Sequence, residues 1–211
     1  MLYYIYEKQG GTMRSTQDDS RENKQIQIFG LTPDPSGRGN KYKPDGWIVI
    51  DGQKHFVECK SCDSRKNQVS TARDFGIAKI KDWQQNSVFI FSKFNKKGDG
   101  FQFTDHIICT WDDLKPFFSK IENKVIDGHA GRIGTRKYEL MREHLIKGGF
   151  AIEDIQELDK SVDHSTKQND PKISWKFLEE HGTLLDKQKD LNKQLKDFIN
   201  RRHNEERNNA N

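Results

Sequence analysis

Three residues carry most of the chemistry legible in this chain: Asp45, Glu58 and Lys60. Two carboxylates and an ammonium converging on one patch have the composition of a site that holds a divalent cation against a phosphate. Hydrolysing a phosphodiester needs a water made nucleophilic, a cation to offset charge on the phosphate, and help for the leaving oxygen. Mg2+ is a hard ion that prefers carboxylate, carbonyl and water oxygens, and a lysine beside it stabilises developing negative charge. These side chains must first be brought together by the backbone between them.

That backbone is the stretch from Lys43 to Lys60. Two short apolar runs flank Asp51-Gly52, a dipeptide that favours the positive φ angles of a two-residue hairpin turn. With this pair as the loop, Ile50 faces Gln53 and Asp45 faces Glu58. Cross-strand neighbours have Cβ atoms roughly 4.5–5.5 Å apart, and two like charges there are destabilising unless something neutralises them. Strand alternation puts Glu58 and Lys60 on the face of Asp45 and turns Cys59 the other way. The bland reading is a surface hairpin whose acids merely sit near Lys43 and Lys60.

Pro44-Asp45, twelve intervening residues and then Glu58-Cys59-Lys60 resemble the signature of the PD-(D/E)XK nuclease superfamily. The resemblance covers the core from about Ile26 to Trp111, and the chain's size suits a type II restriction endonuclease. It implies an α/β fold: a mixed central β-sheet flanked by helices, restriction-endonuclease-like, here with a helical C-terminal part. It also implies Mg2+ held by Asp45, Glu58 and the carbonyl of Cys59, with Lys60 orienting the attacking water. In this family an acidic residue on a preceding helix often completes the site, and Glu22 is the candidate. The implied partners are double-stranded DNA and a second copy of the chain, since a symmetric dimer suits a palindromic site. One exonuclease branch carries Q-x-x-x-Y after the motif; Gln84-Gln85-Asn86 has no tyrosine four positions on. Two alternatives stand beside this reading. One is a repair or junction-resolving nuclease of the same fold, the other a catalytically silent DNA-binding module.

Composition sets the outer limits. The 211 residues suffice for one domain, or one domain plus a smaller appendage. Hydrophobic residues and charged residues each make up 32%, and mean hydropathy is −0.98, so long polar segments must stay at the surface. A formal net charge of +4 is too small to prove a nucleic-acid partner; clustering of basic residues on one face would matter more. No run of about 18 apolar residues suggests a membrane span. Met1 to Tyr6 is apolar but short and lacks the basic leader of a secretory signal. Three cysteines, an odd number, argue against a disulfide framework and fit a cytoplasmic location.

Taken in order, Leu2 to Tyr6 reads as a short strand or a buried N-terminal segment, and Ser15 caps a helix through Asp18, Glu22 and Lys24. Gln25 to Phe29 alternates and reads as a strand. Thr32 to Lys43 is a loop whose Arg38, Lys41 and Lys43 could approach a phosphate backbone. The polar connection 61–67 adds Arg65 and Lys66 as further candidates for DNA contact. Cys59 and Cys62 make a C-x-x-C pair, a weak zinc signal without a second such pair. Val69 to Gln84 reads as a helix with Trp83 on its apolar stripe. Ser87 to Phe91 suits a central strand covered on both faces. Two further strands, Phe101 to Phe103 and His106 to Thr110, lead into a helix from Trp111 to Lys124 that contains Pro116. These elements make up a catalytic core over 1–126. The remainder, 127–211, reads as a mostly helical DNA-contacting or dimerisation part. Its glycine- and arginine-rich stretch 128–137 makes Arg132, Arg136 and Lys137 candidates for DNA contact at a helix N-terminus. Ile173 to His181 reads as a short helix. Leu184, Gln188, Leu191, Leu195, Phe198 and Arg202 recur at steps of four and three. That spacing marks an amphipathic helix for its own domain or for another copy.

Overall fold

The computed structural model describes residues 17–34, 44–71, 83–86, 88–130 and 171–209. In chain order the elements are α1 (Gln17–Phe29), β1 (Thr32–Pro33), β2 (Gly46–Ile50), β3 (Gln53–Asp63), β4 (Gln68–Ser70) and β5 (Val88–Lys97). Then follow β6 (Gly100–Cys109), α2 (Trp111–Ala130), β7 (Lys172–Ser174), α3 (Trp175–His181), β8 (Thr183–Leu184) and α4 (Leu191–Asn209). Six strands form one mixed sheet in the order β1-β2-β3-β5-β6-β8, while β4 and β7 pair as a separate ribbon. The α/β architecture, a mixed sheet flanked by helices and closed by a C-terminal helix, is the one the sequence implied.

The hairpin at the centre of the sequence is built as its turn dipeptide requires. Asp51 and Gly52 have φ of 50° and 78°, the positive pair that matches the twist of two antiparallel strands. Ile50 pairs with Gln53, and the register continues to Gly46 opposite Val57. β3 then runs parallel to β5, with Glu58 beside Phe89 and Lys60 beside Phe91. The apolar run of β5 is covered on both sides: Val88 and Ile90 enter one core, Phe89 and Phe91 the other.

The first core lies under α1 and α4. There Ile26 and Phe29 meet Leu195, Phe198 and Ile199 over Ile48, Val57, Cys59 and Ile108. The second lies under α2 and α3. Leu114, Phe118, Trp175 and Leu178 join Trp83, Phe89, Phe91 and Ile107 there. Thr110 and Asp113 cap α2 reciprocally, the Thr110 N–H donating to Asp113 Oδ2 at 2.8 Å. The helix then continues through Pro116. Gly182 ends α3 so close to the sheet that a Cβ there would stand 2.6 Å from Cys109 Sγ. β8 joins the sheet edge, and α4 packs on its first face.

Several local expectations are corrected. Gln25 to Phe29 is the last stretch of α1, not a strand. Its end is fixed by Gly30 at φ 62°, with the Leu31 N–H donating to the Ile26 carbonyl and the Gly30 N–H to that of Gln27. Thr32 and Pro33 pair with β2 rather than opening a loop. Val69 and Ser70 belong to β4 and Thr71 is not helical; of the rest of the expected helix, 72–82 lie outside the described residues, and Trp83 and Gln84 are helical. The two strands expected over 101–110 are one continuous strand, β6. Ile173 lies in β7, and the short helix starts at Trp175, capped by Ser174. Leu184 lies in β8 and is 59% exposed, so the last helix begins only at Leu191. Residues 2–6, Ser15, 35–43 and 131–170 lie outside the described residues. Among the described residues no helix is long and apolar enough to cross a membrane.

Candidate active site

The regular ladder of β2 ends at Gly46, and at the next position the Asp45 side chain takes the place of a main-chain acceptor. The Cys59 N–H donates to Asp45 Oδ2 at 2.7 Å. This bond fixes Asp45 across from Glu58, on the side of the sheet that the hairpin register dictates. Lys60, two residues on, returns to the same side. Its Nζ lies 2.6 Å from Glu58 Oε1 and 3.7 Å from Asp45 Oδ2, and donates to the Cys59 carbonyl at 3.0 Å. The indole of Trp83 lies beneath the ammonium, its ring centre 5.6 Å away. The peptide of Cys59 therefore holds Asp45 with its N–H and Lys60 with its C=O.

Charge in this cluster does not balance. Glu22, Asp45 and Glu58 all act on the one ammonium of Lys60. Burial works to lower Lys60, but Asp45 and Glu58 outweigh it, and the ammonium is held well above its ordinary range. Asp45 is pushed up to about 8, by burial first, then by the charge of Glu58 and further by Glu22; Lys60 and the Cys59 N–H pull the other way. Glu58 is 3% exposed, and its Oε2 has no hydrogen-bond partner among the described residues. A buried acceptor left open carries a desolvation cost. With one ammonium for two buried acids, Asp45 keeps its proton at neutral pH, and a cation reached by the open Glu58 oxygen could displace it.

No family model matches the chain, and no curated protein does. The site's capability rests on its own donor set. Among the described residues no third His, Cys, Asp or Glu joins Asp45 and Glu58 to make a three-ligand side-chain cluster. The oxygens present are the Asp45 carboxylate, Glu58 Oε2 and the Cys59 carbonyl, the hard donors a magnesium ion prefers. Those residues fit the ion. They do not suit zinc. Cys59 enters the first core and Cys62 the second, so the two thiols of the C-x-x-C pair point to opposite sides of β3. Burial raises both, Cys59 well above its ordinary value and Cys62 to about 11, which keeps them protonated.

The remaining sequence candidates fall in different places. Glu22 lies on α1, half-buried, and its charge is felt at Asp45, Cys59 and Lys60. Arg65 is 79% exposed and forks onto Asp63, at 2.9 Å from Nε and 2.7 Å from the second nitrogen. Lys66 is exposed in the same turn. Lys43, Arg132, Arg136 and Lys137 lie outside the described residues. His55 is buried on the side away from Lys60, its ring edge-on to His203 of α4.

Sequence reasoning missed Gln25. Buried on α1, its Nε2 donates to the carbonyls of Lys60 and Ile90, at 3.2 and 3.3 Å, and to Ser92 Oγ at 2.8 Å. Ser92 in turn bonds His106 Nδ1 at 2.8 Å. This chain of polar groups ties α1, β3, β5 and β6 together directly behind Lys60. The signal was available, because a glutamine three residues after Glu22 shares its helical face. It was hidden by reading 25–29 as a strand.

Proposed function

We propose that this chain is a Mg2+-dependent endonuclease that hydrolyses phosphodiester bonds of duplex DNA at a specific sequence, acting as a homodimer in the manner of a type II restriction enzyme. The observation that carries the reading is the convergence of two buried carboxyl groups, Asp45 and Glu58, on a single clamped Lys60, an arrangement in which Asp45 holds its proton until a cation takes its place. Asp45, Glu58 Oε2 and the Cys59 carbonyl would hold the ion, with Glu22 near enough to strengthen the field. Bound there, Mg2+ would lower the pKa of a coordinated water and offset charge on the phosphate.

The protein's own groups do the rest. Lys60 stays protonated across the neutral range, so it serves as a hydrogen-bond donor and fixed cation, not as a general base. It can orient a water and stabilise charge that develops on the phosphate oxygens. Asp45 is aimed by the Cys59 N–H, and Gln25 holds the strand behind Lys60 from the other side. Cutting both strands of a palindrome calls for one such site in each of two copies.

The 2.6 Å contact between Lys60 and Glu58 favours one second reading, a closed structural ion pair in a DNA-binding module that never cuts. Labelled duplex incubated with the wild type and with Glu58→Gln, in Mg2+ and in EDTA, separates the two. The nuclease reading expects cleavage by the wild type in Mg2+ alone and a loss of at least a hundredfold in the variant. Equal binding in both buffers with no cleavage in either supports the silent module.

A further inference from the structure

The two faces of the hairpin differ in character. Ile48, Ile50 and Val57 turn into the first core, with His55 buried beside them. Alternation puts Trp47 and Val49 of β2 and Lys54 and Phe56 of β3 on the other face, the one that carries Asp45, Glu58 and Lys60. Trp47 pairs directly with Phe56, and Asp45 and Glu58 face each other two residues further from the turn. At about 3.3 Å per residue, the aromatic pair stands about 7 Å from the acids on the same side of the sheet.

Along β5 this side of the sheet is closed, with Phe89 and Phe91 fully buried in the core under α2 and α3. At the hairpin it is open. Val49 is 55% exposed, Trp47 and Phe56 are half-buried, and none of the three packs into either core. The exposed Lys54 lies on the rings, its Nζ 3.5 Å from the ring centre of Trp47 and 5.2 Å from that of Phe56. Among the described residues Lys54 has no carboxylate within ion-pair distance. The acids around this face are Asp51 in the turn, Asp45 and Glu58 in the site, and Asp34, whose N–H donates to the Asp45 carbonyl at 3.2 Å.

We propose that Trp47 and Phe56, with Lys54 above them, form a stacking subsite for one unpaired nucleobase of a DNA strand, next to the phosphate that the site would hold at Lys60. The subsite rests on the nuclease reading for the position of the strand and adds the state of the substrate, a nucleotide drawn out of the duplex stack beside the cut. The surrounding acids disfavour a run of phosphates, whereas a base is uncharged and offers a flat π face. Aromatic side chains stack on any base, and a neighbouring cation adds to the attraction. The Lys54 ammonium already occupies the open side of the indole. A base that takes its place frees the ammonium for a neighbouring phosphate. Drawing a base out costs least where it is mismatched or already unpaired.

The test compares a labelled oligothymidylate with an abasic strand of the same length, both titrated in EDTA. The two carry the same phosphates, so the ratio of their affinities isolates the bases. The wild type should favour oligothymidylate by about tenfold or more, the size expected for a stacked base. Trp47→Leu and Phe56→Leu keep an apolar side chain on a face outside both cores, and each should bring the ratio towards one. Trp47→Phe should keep most of it. No preference for bases in the wild type, or one that survives in both leucine variants, would overturn the subsite. So would a fall in the sedimenting mass of either variant with the preference intact, which would mark the face as a contact between copies. Base preference through these rings in a protein that cuts no DNA would overturn the nuclease reading alone. Mg2+-dependent cleavage by a protein whose base preference ignores them would overturn the subsite alone.

Discussion

At the scale of single residues, Asp45 is the group whose chemistry is most exposed to test. Its carboxyl is raised from 3.8 to about 8, so between those values the folded chain holds a proton that the unfolded chain has released. Metal-free stability should therefore fall as pH rises through that window. Asp45→Asn removes the slope and still offers an amide oxygen to the Cys59 N–H. Urea unfolding in EDTA at pH 8 should show the variant at least as stable as the parent, while saturating Mg2+ should stabilise the parent alone. A variant weakened by more than about 1 kcal/mol, or stabilised by Mg2+ like the parent, contradicts the metal role. His106 gives a second pH signature of opposite sense. Burial lowers it from 6.5 to about 4, so the unfolded chain takes up the proton first as pH falls. Stability is lost between pH 6.5 and pH 4, by roughly 3 kcal/mol from this group. Denaturation of His106→Gln at pH 7 and pH 4 should show a pH dependence smaller by that amount; an unchanged dependence refutes it. That Asp45, Glu58 and Lys60 converge was legible because the hairpin register and strand alternation suffice to bring them together. Gln25 was not, since its role depends on three acceptors contributed by β3 and β5.

Among the elements, the hairpin was readable in full because a two-residue turn sets register by itself. Asp51-Gly52 fixed which residues face each other before any tertiary contact was known. Five residues of alternation at Gln25 to Phe29 had no such anchor. A strand and the end of a helix share that pattern, and the deciding signal lay just beyond, in Gly30 and Leu31. The last helix shows a related limit. The four-and-three spacing correctly grouped Leu191, Leu195 and Phe198, but it ran back through Gln188 to Leu184, which pairs with Ile107 on the sheet edge. Spacing alone also left two uses open for the stripe, and packing shows one of them: Leu195 is fully buried against its own core, and Arg202 pairs with Asp113 of α2 at 2.7 Å. Leu195→Ala should then cost about 2–5 kcal/mol in chemical denaturation. A loss under about 1 kcal/mol would mean that the helix is only loosely seated.

For the molecule as a whole, the sheet brings Asp45, Glu58 and Lys60 together on the side that carries α2 and α3, while α1 and α4 cover the other. The division of labour is physical. In the proposed site the two acids would hold the cation, while Lys60, clamped by Glu58 and the Cys59 carbonyl, keeps its charge for an incoming phosphate. Which bases are read is not written in the residues that make this face, because sequence selection depends on contacts made in a groove. Function can nevertheless be decided by one measurement. A plasmid library is digested with purified protein in Mg2+ and in EDTA, and every fragment end is sequenced. The expected result is cleavage in Mg2+ only, with all ends sharing one short motif. Undiminished cutting in EDTA, or no cutting under either condition, would contradict a metal site at Asp45 and Glu58, and ends of random sequence would contradict site-specific cleavage.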